Sequence, residues 1–146
     1  MKQKGKEMSK VLFLDVDGVL NSRSTTDFRN NLYPIDPYMA FLVGKIQLDT
    51  DCDIVLSSSW RLHPDGIAAV EKNVVKVRDK TPYLDGIRGD EIVEWLRKHD
   101  DVDKYAILDD DSDFYDWQPL FKTTFEHGLT DSIAKDVTDY LNGTPK

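Results

Sequence analysis

Residues 11–21, which read V-L-F-L-D-V-D-G-V-L-N, constrain the fold more than any other stretch of the chain. Val11, Leu12, Phe13 and Leu14 make an apolar run too short to cross a membrane. Its length suits a strand buried on both faces, the kind found in parallel sheets covered by helices. The run stops at two carboxylates. Asp15 and Asp17 are two residues apart, so extended backbone would send both side chains to the same side, and Gly18 permits a sharp turn directly after them. In an open parallel sheet the carboxyl ends of strands are where ligands bind. Two anions held side by side there need a shared proton or a cation. Mg2+ prefers oxygen ligands and commonly takes one or two carboxylates together with water and a substrate phosphate. D-x-D-G also opens calcium loops, but an EF-hand closes on a glutamate at its twelfth position, and counting from Asp15 the twelfth residue is Thr26.

Two more short apolar runs end in polar clusters. Ile54, Val55 and Leu56 lead into Ser57-Ser58-Ser59-Trp60-Arg61, and Tyr105, Ala106, Ile107 and Leu108 lead into Asp109-Asp110-Asp111-Ser112-Asp113. A buried strand that delivers a row of carboxylates is costly unless positive charge meets it. Between the first two strands, Asp36 as N-cap and Pro37 at the first helical position start a helix running to about residue 48, with Tyr38, Met39, Phe41, Leu42 and Ile46 at helical spacing. Strand, helix, strand in this order gives a parallel pair with a right-handed crossover. Residues 63–66 read as a turn, Ile67 to Val70 as a short helix, and Val74, Val75 and Val77 as a third strand. Asp90 caps or opens a helix with Ile92, Trp95 and Leu96 on one face, residues 121–125 form a last edge strand, and Thr130 caps a closing helix. The expectation is a three-layer α/β fold with a parallel sheet and helices on both faces.

At 146 residues, a single domain over 11–142 is expected after a lysine-rich, flexible lead-in over 1–10. Cys52 is the one cysteine, so no internal disulfide forms. With no signal-peptide pattern at the start, the expected location is the cytoplasm, without a membrane. A net charge of −8 argues against extended non-specific nucleic-acid binding, which rests on lysine and arginine neutralising phosphates. It leaves room for an enzyme acting on a nucleic-acid end.

The run D-V-D-G-V-L-N resembles the first motif of the haloacid-dehalogenase superfamily of phosphatases and phosphotransferases. The resemblance implies that Asp15 is the nucleophile that attacks phosphorus and Asp17 the general acid and base. It implies a hydroxyl at the end of the second strand that binds the phosphoryl group. Three serines compete for that place, with Ser58 preferred and Ser57 the alternative. It implies a cation near the start of a later helix, Arg88 or, failing that, Lys80. It also implies an acidic motif that completes a Mg2+ site, with Asp110 a direct ligand, Asp109 a ligand or its supporting partner, and Asp113 acting through water. The metal set expected is Asp15, Asp17, Asp109 and Asp110. Gly18, Ser57, Ser58 and Arg61 are the expected phosphate contacts, although Arg61 reads equally well as a solvated residue.

More narrowly, F-L-D-V-D-G-V-L-N, I-V-L-S-S-S-W-R, R-G-D-E-I-V-E-W-L and I-L-D-D-D together resemble a small, nearly capless group found alone or fused in RNA-repair proteins. Residues 22–34 would then be a short flap or cap. What this implies is a Mg2+-dependent phosphomonoester hydrolase working through an aspartyl phosphate on a small molecule or a nucleic-acid end. The alternative of a different kind is a metal-dependent binding or regulatory module without turnover. A receiver domain also clusters acids at strand ends, but D-x-D-G-V-L-N has the wrong spacing for its adjacent acidic pair.

Overall fold

The computed structural model describes residues 7–25 and 34–146. Five parallel strands form one sheet in the order β3-β2-β1-β4-β5, with β1 Ser9–Leu14, β2 Asp53–Leu56, β3 Asp79–Lys80, β4 Val102–Asp109 and β5 Leu120–Lys122. The helices are α1 Pro37–Thr50, α2 Pro64–Asn73, α3 Arg88–Arg97 and α4 Asp131–Leu141, and one 3-10 turn covers Ser59–Leu62. None of these helices is long and apolar enough to cross a membrane.

The period of two along the strands divides the core. Leu12, Leu14, Ile54, Leu56, Ala106 and Leu108 face α1 and α4, which pack together over that side and contribute Leu42, Val43, Ile46, Ala134, Val137 and Leu141. Val11, Phe13, Val55 and Ile107 face the other way, onto Ile92 and Trp95 of α3. Phe13 meets the Trp95 ring edge to face at 5.5 Å, an arrangement worth about 0.5–1.5 kcal/mol beyond burial. These are the three layers expected, and they force continuous apolar runs in the central strands because both faces are covered.

Local chemistry explains most of the boundaries. Asp36 accepts hydrogen bonds from the amides of Tyr38 (2.8 Å) and Met39 (3.2 Å), Pro37 occupies the first helical position, and Asp51 ends α1 in the left-handed region at φ 58°. Thr130 caps α4 by accepting from the Ile133 amide at 3.3 Å.

Five boundaries differ from expectation. The strand expected at Val74, Val75 and Val77 is not formed: the Val74 amide closes α2 on Val70, the Val77 amide is taken by Glu71, and the edge strand is Asp79–Lys80. Residues 63–66 are not a separate turn, since α2 begins at Pro64. Gly66 lies inside that helix because a Cβ there would meet the Trp60 carbonyl at 2.6 Å. α3 begins at Arg88 rather than Asp90, and β1 takes in Ser9 and Lys10 from the expected lead-in. The edge strand expected at 121–125 is Leu120–Lys122. Residues 1–6, and with 26–33 most of the expected flap, lie outside the described residues; among those described, no helix or strand stands between β1 and α1.

Candidate active site

Strand order reverses between β1 and β4, and the crevice beyond their carboxyl ends is the natural ligand site of such a sheet. Leu14 is in register with Leu56 on one side and Leu108 on the other. The next residues, Ser57, Asp15 and Asp109, therefore stand in a row. They are held there by Ser57 N–H donating to the Leu14 carbonyl (2.9 Å) and Asp15 N–H donating to the Leu108 carbonyl (3.0 Å). Since the leucines face α1 and α4, this row belongs to the α3 side. All three residues are buried, Asp15 to 2% exposure and Asp109 to 0%.

One oxygen each from Asp15, Asp109 and Asp110 lies within 4.8 Å of the others, close enough to share one cation. Arg88, the first residue of α3, reaches in from above and ion-pairs through one nitrogen with Asp109 Oδ2 (2.9 Å) and Asp15 Oδ1 (3.1 Å). Asp113 seats that helix end, its Oδ2 accepting from the Arg88 amide (3.1 Å) and its carbonyl from the Gly89 amide (3.0 Å). Burial, followed by the neighbouring Asp109 charge, pushes the Asp15 carboxyl up to about 7 against the pull of Arg88. Burial also raises Asp109 and Asp110, the latter helped by Asp15. Arg88, desolvated but facing two carboxylates, is driven further up and stays charged. Among the described residues, three carboxylates face one guanidinium, an excess of negative charge.

Gly18 turns the chain at φ +83°, and a Cβ there would sit 2.1 Å from Asp110 Oδ2. Its carbonyl accepts from Thr123 Oγ1 at 2.6 Å, and its amide donates to Asn21 Oδ1 at 2.9 Å. That amide is thus committed, and the expectation of Gly18 as a phosphate contact gives way to one in which it makes room for Asp110. Asp17 also departs from expectation. The strand has ended before it, so Asp15 and Asp17 do not share one environment: Asp17 is exposed, with Oδ1 accepting from Asn21 Nδ2 (3.0 Å) and Oδ2 from Trp60 Nε1 (3.2 Å). Its carboxylate is not one of the three that cluster, which removes it from the expected set of side-chain ligands.

Arg61 fits neither of its two readings. It is 4% exposed, and its five N–H groups go to the carbonyls of Thr81 (2.9 Å), Ser57 (3.1 Å), Ser58 (2.8 Å) and Pro82 (3.3 Å) and to Glu91 Oε1 (3.0 Å). The fork is full and offers nothing to a phosphate, a correction to its placement among the phosphate contacts. The Ser58 hydroxyl caps the 3-10 turn by accepting from the Trp60 amide at 3.1 Å. Among the described residues the Ser57 hydroxyl, buried in the row with Asp15, has no hydrogen-bond partner, nor has that of Thr81, just past the end of β3. Lys80 is exposed on the edge strand, whereas Arg88 touches Asp15. Asn21, Trp60 and Glu91 are the site's unforeseen supports. Asn21 already closed the first motif, but no spacing rule points a side chain back around a turn.

Residues 11–134 match a family model described as the HAD domain in Swiss Army Knife RNA repair proteins. No curated protein and no solved structure matches the chain.

Proposed function

The chain belongs to the family of HAD domains in Swiss Army Knife RNA repair proteins, and on that membership we propose a Mg2+-dependent phosphomonoester hydrolase that works through an aspartyl phosphate, built as one domain over residues 11–142. The observation that carries the reading is the convergence of Asp15, from the end of β1, with Asp109 and Asp110, from the end of β4, beneath Arg88. The fit to Mg2+ rests on the donor set: all oxygen, largely buried, and carrying more negative charge than Arg88 offsets. Asp15, Asp109 and Asp110 would hold the ion, which when bound neutralises charge on the phosphoryl oxygens.

The residues divide the remaining work. Asp15 attacks phosphorus in line; the bond from phosphorus to the ester oxygen breaks, and Asp17 delivers a proton to that oxygen as it leaves. The Asp17 carboxylate then takes a proton from the water that attacks the aspartyl phosphate, releasing phosphate and restoring Asp15. Each Asp17 oxygen accepts one hydrogen bond, from Asn21 or Trp60, and keeps a lone pair for the proton it carries. Arg88, the Ser57 hydroxyl and the amides following Asp15 take the phosphoryl oxygens, and Ser57 is preferred to Ser58 because its hydroxyl is the one without a partner. The buried thiol of Cys52 suits a reducing cytoplasm.

Asp15→Asn is the direct test. Turnover of a general phosphate ester with Mg2+ falls roughly 10^4-fold or more, as for loss of a nucleophile, while the fold persists. Activity retained within tenfold would end the assignment.

The matched family favours a second, finer reading in which the phosphate sits on a nucleic-acid end. Relative rates on 3′-phosphorylated and 5′-phosphorylated oligonucleotides and on small phosphate esters decide it, with one of the oligonucleotides expected to be the faster substrate.

A further inference from the structure

Beside the carboxylate cluster lies a second cavity, of about 210 Å³, with Ser59, Leu62, Tyr83, Asp85, Arg88 and Asp113 among its walls. Arg88 belongs to both spaces: its side chain pairs with Asp15 and Asp109 while also lining the cavity. A phosphoryl group at Asp15 would therefore place its organic part next to this opening. We propose that the cavity is a nucleoside subsite in which Tyr83 stacks on the base of a nucleoside monophosphate group, free or at the end of a strand. This rests on the phosphatase reading above.

Three features select that occupant. Tyr83 is 68% exposed and Leu62 50% exposed, so the cavity offers a ring and an aliphatic surface that the core does not use. Its floor is chemically closed: Arg61 has spent every donor, and Glu91 accepts from Arg61 on one oxygen and from the Leu84 amide (3.0 Å) on the other. The carboxylates on the walls, Asp85 and Asp113, can accept from the ring and amino N–H groups of a base. The volume is below the roughly 300–1,000 Å³ of pockets for whole drug-sized ligands, and so takes one ring system with its sugar. An aromatic face that stacks bases without regard to sequence is the usual device for gripping single-stranded ends.

The experiment measures binding and turnover separately. Asp15→Asn protein with Mg2+ is titrated with adenosine 3′-monophosphate, adenosine 5′-monophosphate, a 3′-phosphorylated trinucleotide, ribose 5-phosphate and O-phosphoethanolamine, with and without Tyr83→Ala or Tyr83→Phe. A base-bearing ligand binds at least tenfold tighter than ribose 5-phosphate, Tyr83→Ala brings that ratio down about tenfold, in line with one lost stacking contact, and Tyr83→Phe keeps it. In the protein with Asp15 intact, the same ratio appears in KM and not in kcat. The trinucleotide against the mononucleotides tells a strand end from a free nucleotide. Equal binding of ribose 5-phosphate, or a ratio that survives Tyr83→Ala, overturns the subsite. So does phosphoethanolamine binding as tightly as the nucleotides, because the acidic wall would then be reading positive charge. If no ester is hydrolysed, the phosphatase reading falls, and the titration still decides the subsite.

Discussion

Two arginines stand on the α3 side of the sheet, each against buried acid, and they are built in opposite ways. Arg61 meets one carboxylate, Glu91, and four carbonyls; donors and acceptors match, and the pair is closed on itself. Arg88 meets Asp15 and Asp109 through a single nitrogen, with Asp110 alongside, so among the described residues one cation serves three acids; Asp15 is held well above the usual carboxylate range and Asp109 is also raised. Only the second arrangement has chemistry left to offer. A satisfied buried ion pair fixes geometry, whereas an unbalanced one needs a partner from outside to reach its lowest free energy.

Removing each guanidinium separates the two. Arg61→Leu leaves Glu91 buried without its partner and frees four carbonyls, so unfolding free energy drops by about 3–5 kcal/mol, read from the urea midpoint. Arg88→Leu removes a cation from a site that Mg2+ can still neutralise. With Mg2+ present its midpoint moves much less than that of Arg61→Leu, while turnover falls by roughly 10^2–10^3-fold, as for loss of one charge-stabilising donor. A loss of stability as large for Arg88→Leu as for Arg61→Leu would erase the distinction.

The imbalance also has a pH signature. Asp15 holds its proton to about pH 7 in the folded chain against 3.8 ordinarily. From about pH 4 to about pH 7 the folded state therefore binds more protons than the unfolded state, and stability falls as pH rises through that window, then levels off. Asp109 and Asp110, also raised, act in the same direction. In chelator the melting temperature should drop from pH 4.5 to pH 7 by more in the native protein than in Asp15→Asn. Saturating Mg2+, which binds the ionised carboxylates, should remove the difference. An identical slope in both proteins would place the imbalance elsewhere.

What was legible in the sequence follows the range of the forces involved. Apolar runs bounded by carboxylates or serines gave three of the five strands because burial on both faces leaves no other pattern, and Asp36 with Pro37, and Thr130, announced helix starts through caps within three residues. The start of α3 was misplaced because its cap is Asp113, twenty-five residues away. β3 was misplaced because the nearby valines pack as side chains while the two-residue edge strand is polar. In the site, the acids at strand ends were readable from order alone. Asp17 was not, since extended geometry was assumed past a strand that stops at Leu14, and neither was Arg61, whose partners come from residues up to thirty positions on.

The finest contrast lies between neighbouring serines. Ser57 and Ser58 are neighbours just past the end of β2, yet their hydroxyls are used differently. Ser58 accepts from the Trp60 amide and so stabilises the turn that carries Trp60 to Asp17 and Arg61 to Glu91. The Ser57 hydroxyl stabilises nothing among the described residues: it is buried, lies in the row with Asp15, and makes no hydrogen bond there. A buried hydroxyl left in that state costs roughly 1–3 kcal/mol, a deficit that a phosphoryl oxygen would remove. Ser58→Ala should therefore cost about 1 kcal/mol of stability, as for a lost cap. Ser57→Ala should leave stability unchanged or slightly improved and lower kcat/KM by about tenfold, the weight of one neutral hydrogen bond made in the transition state. If the two effects came out exchanged, Ser58 would be the phosphoryl contact and the partnerless hydroxyl of Ser57 would have no part in the reaction.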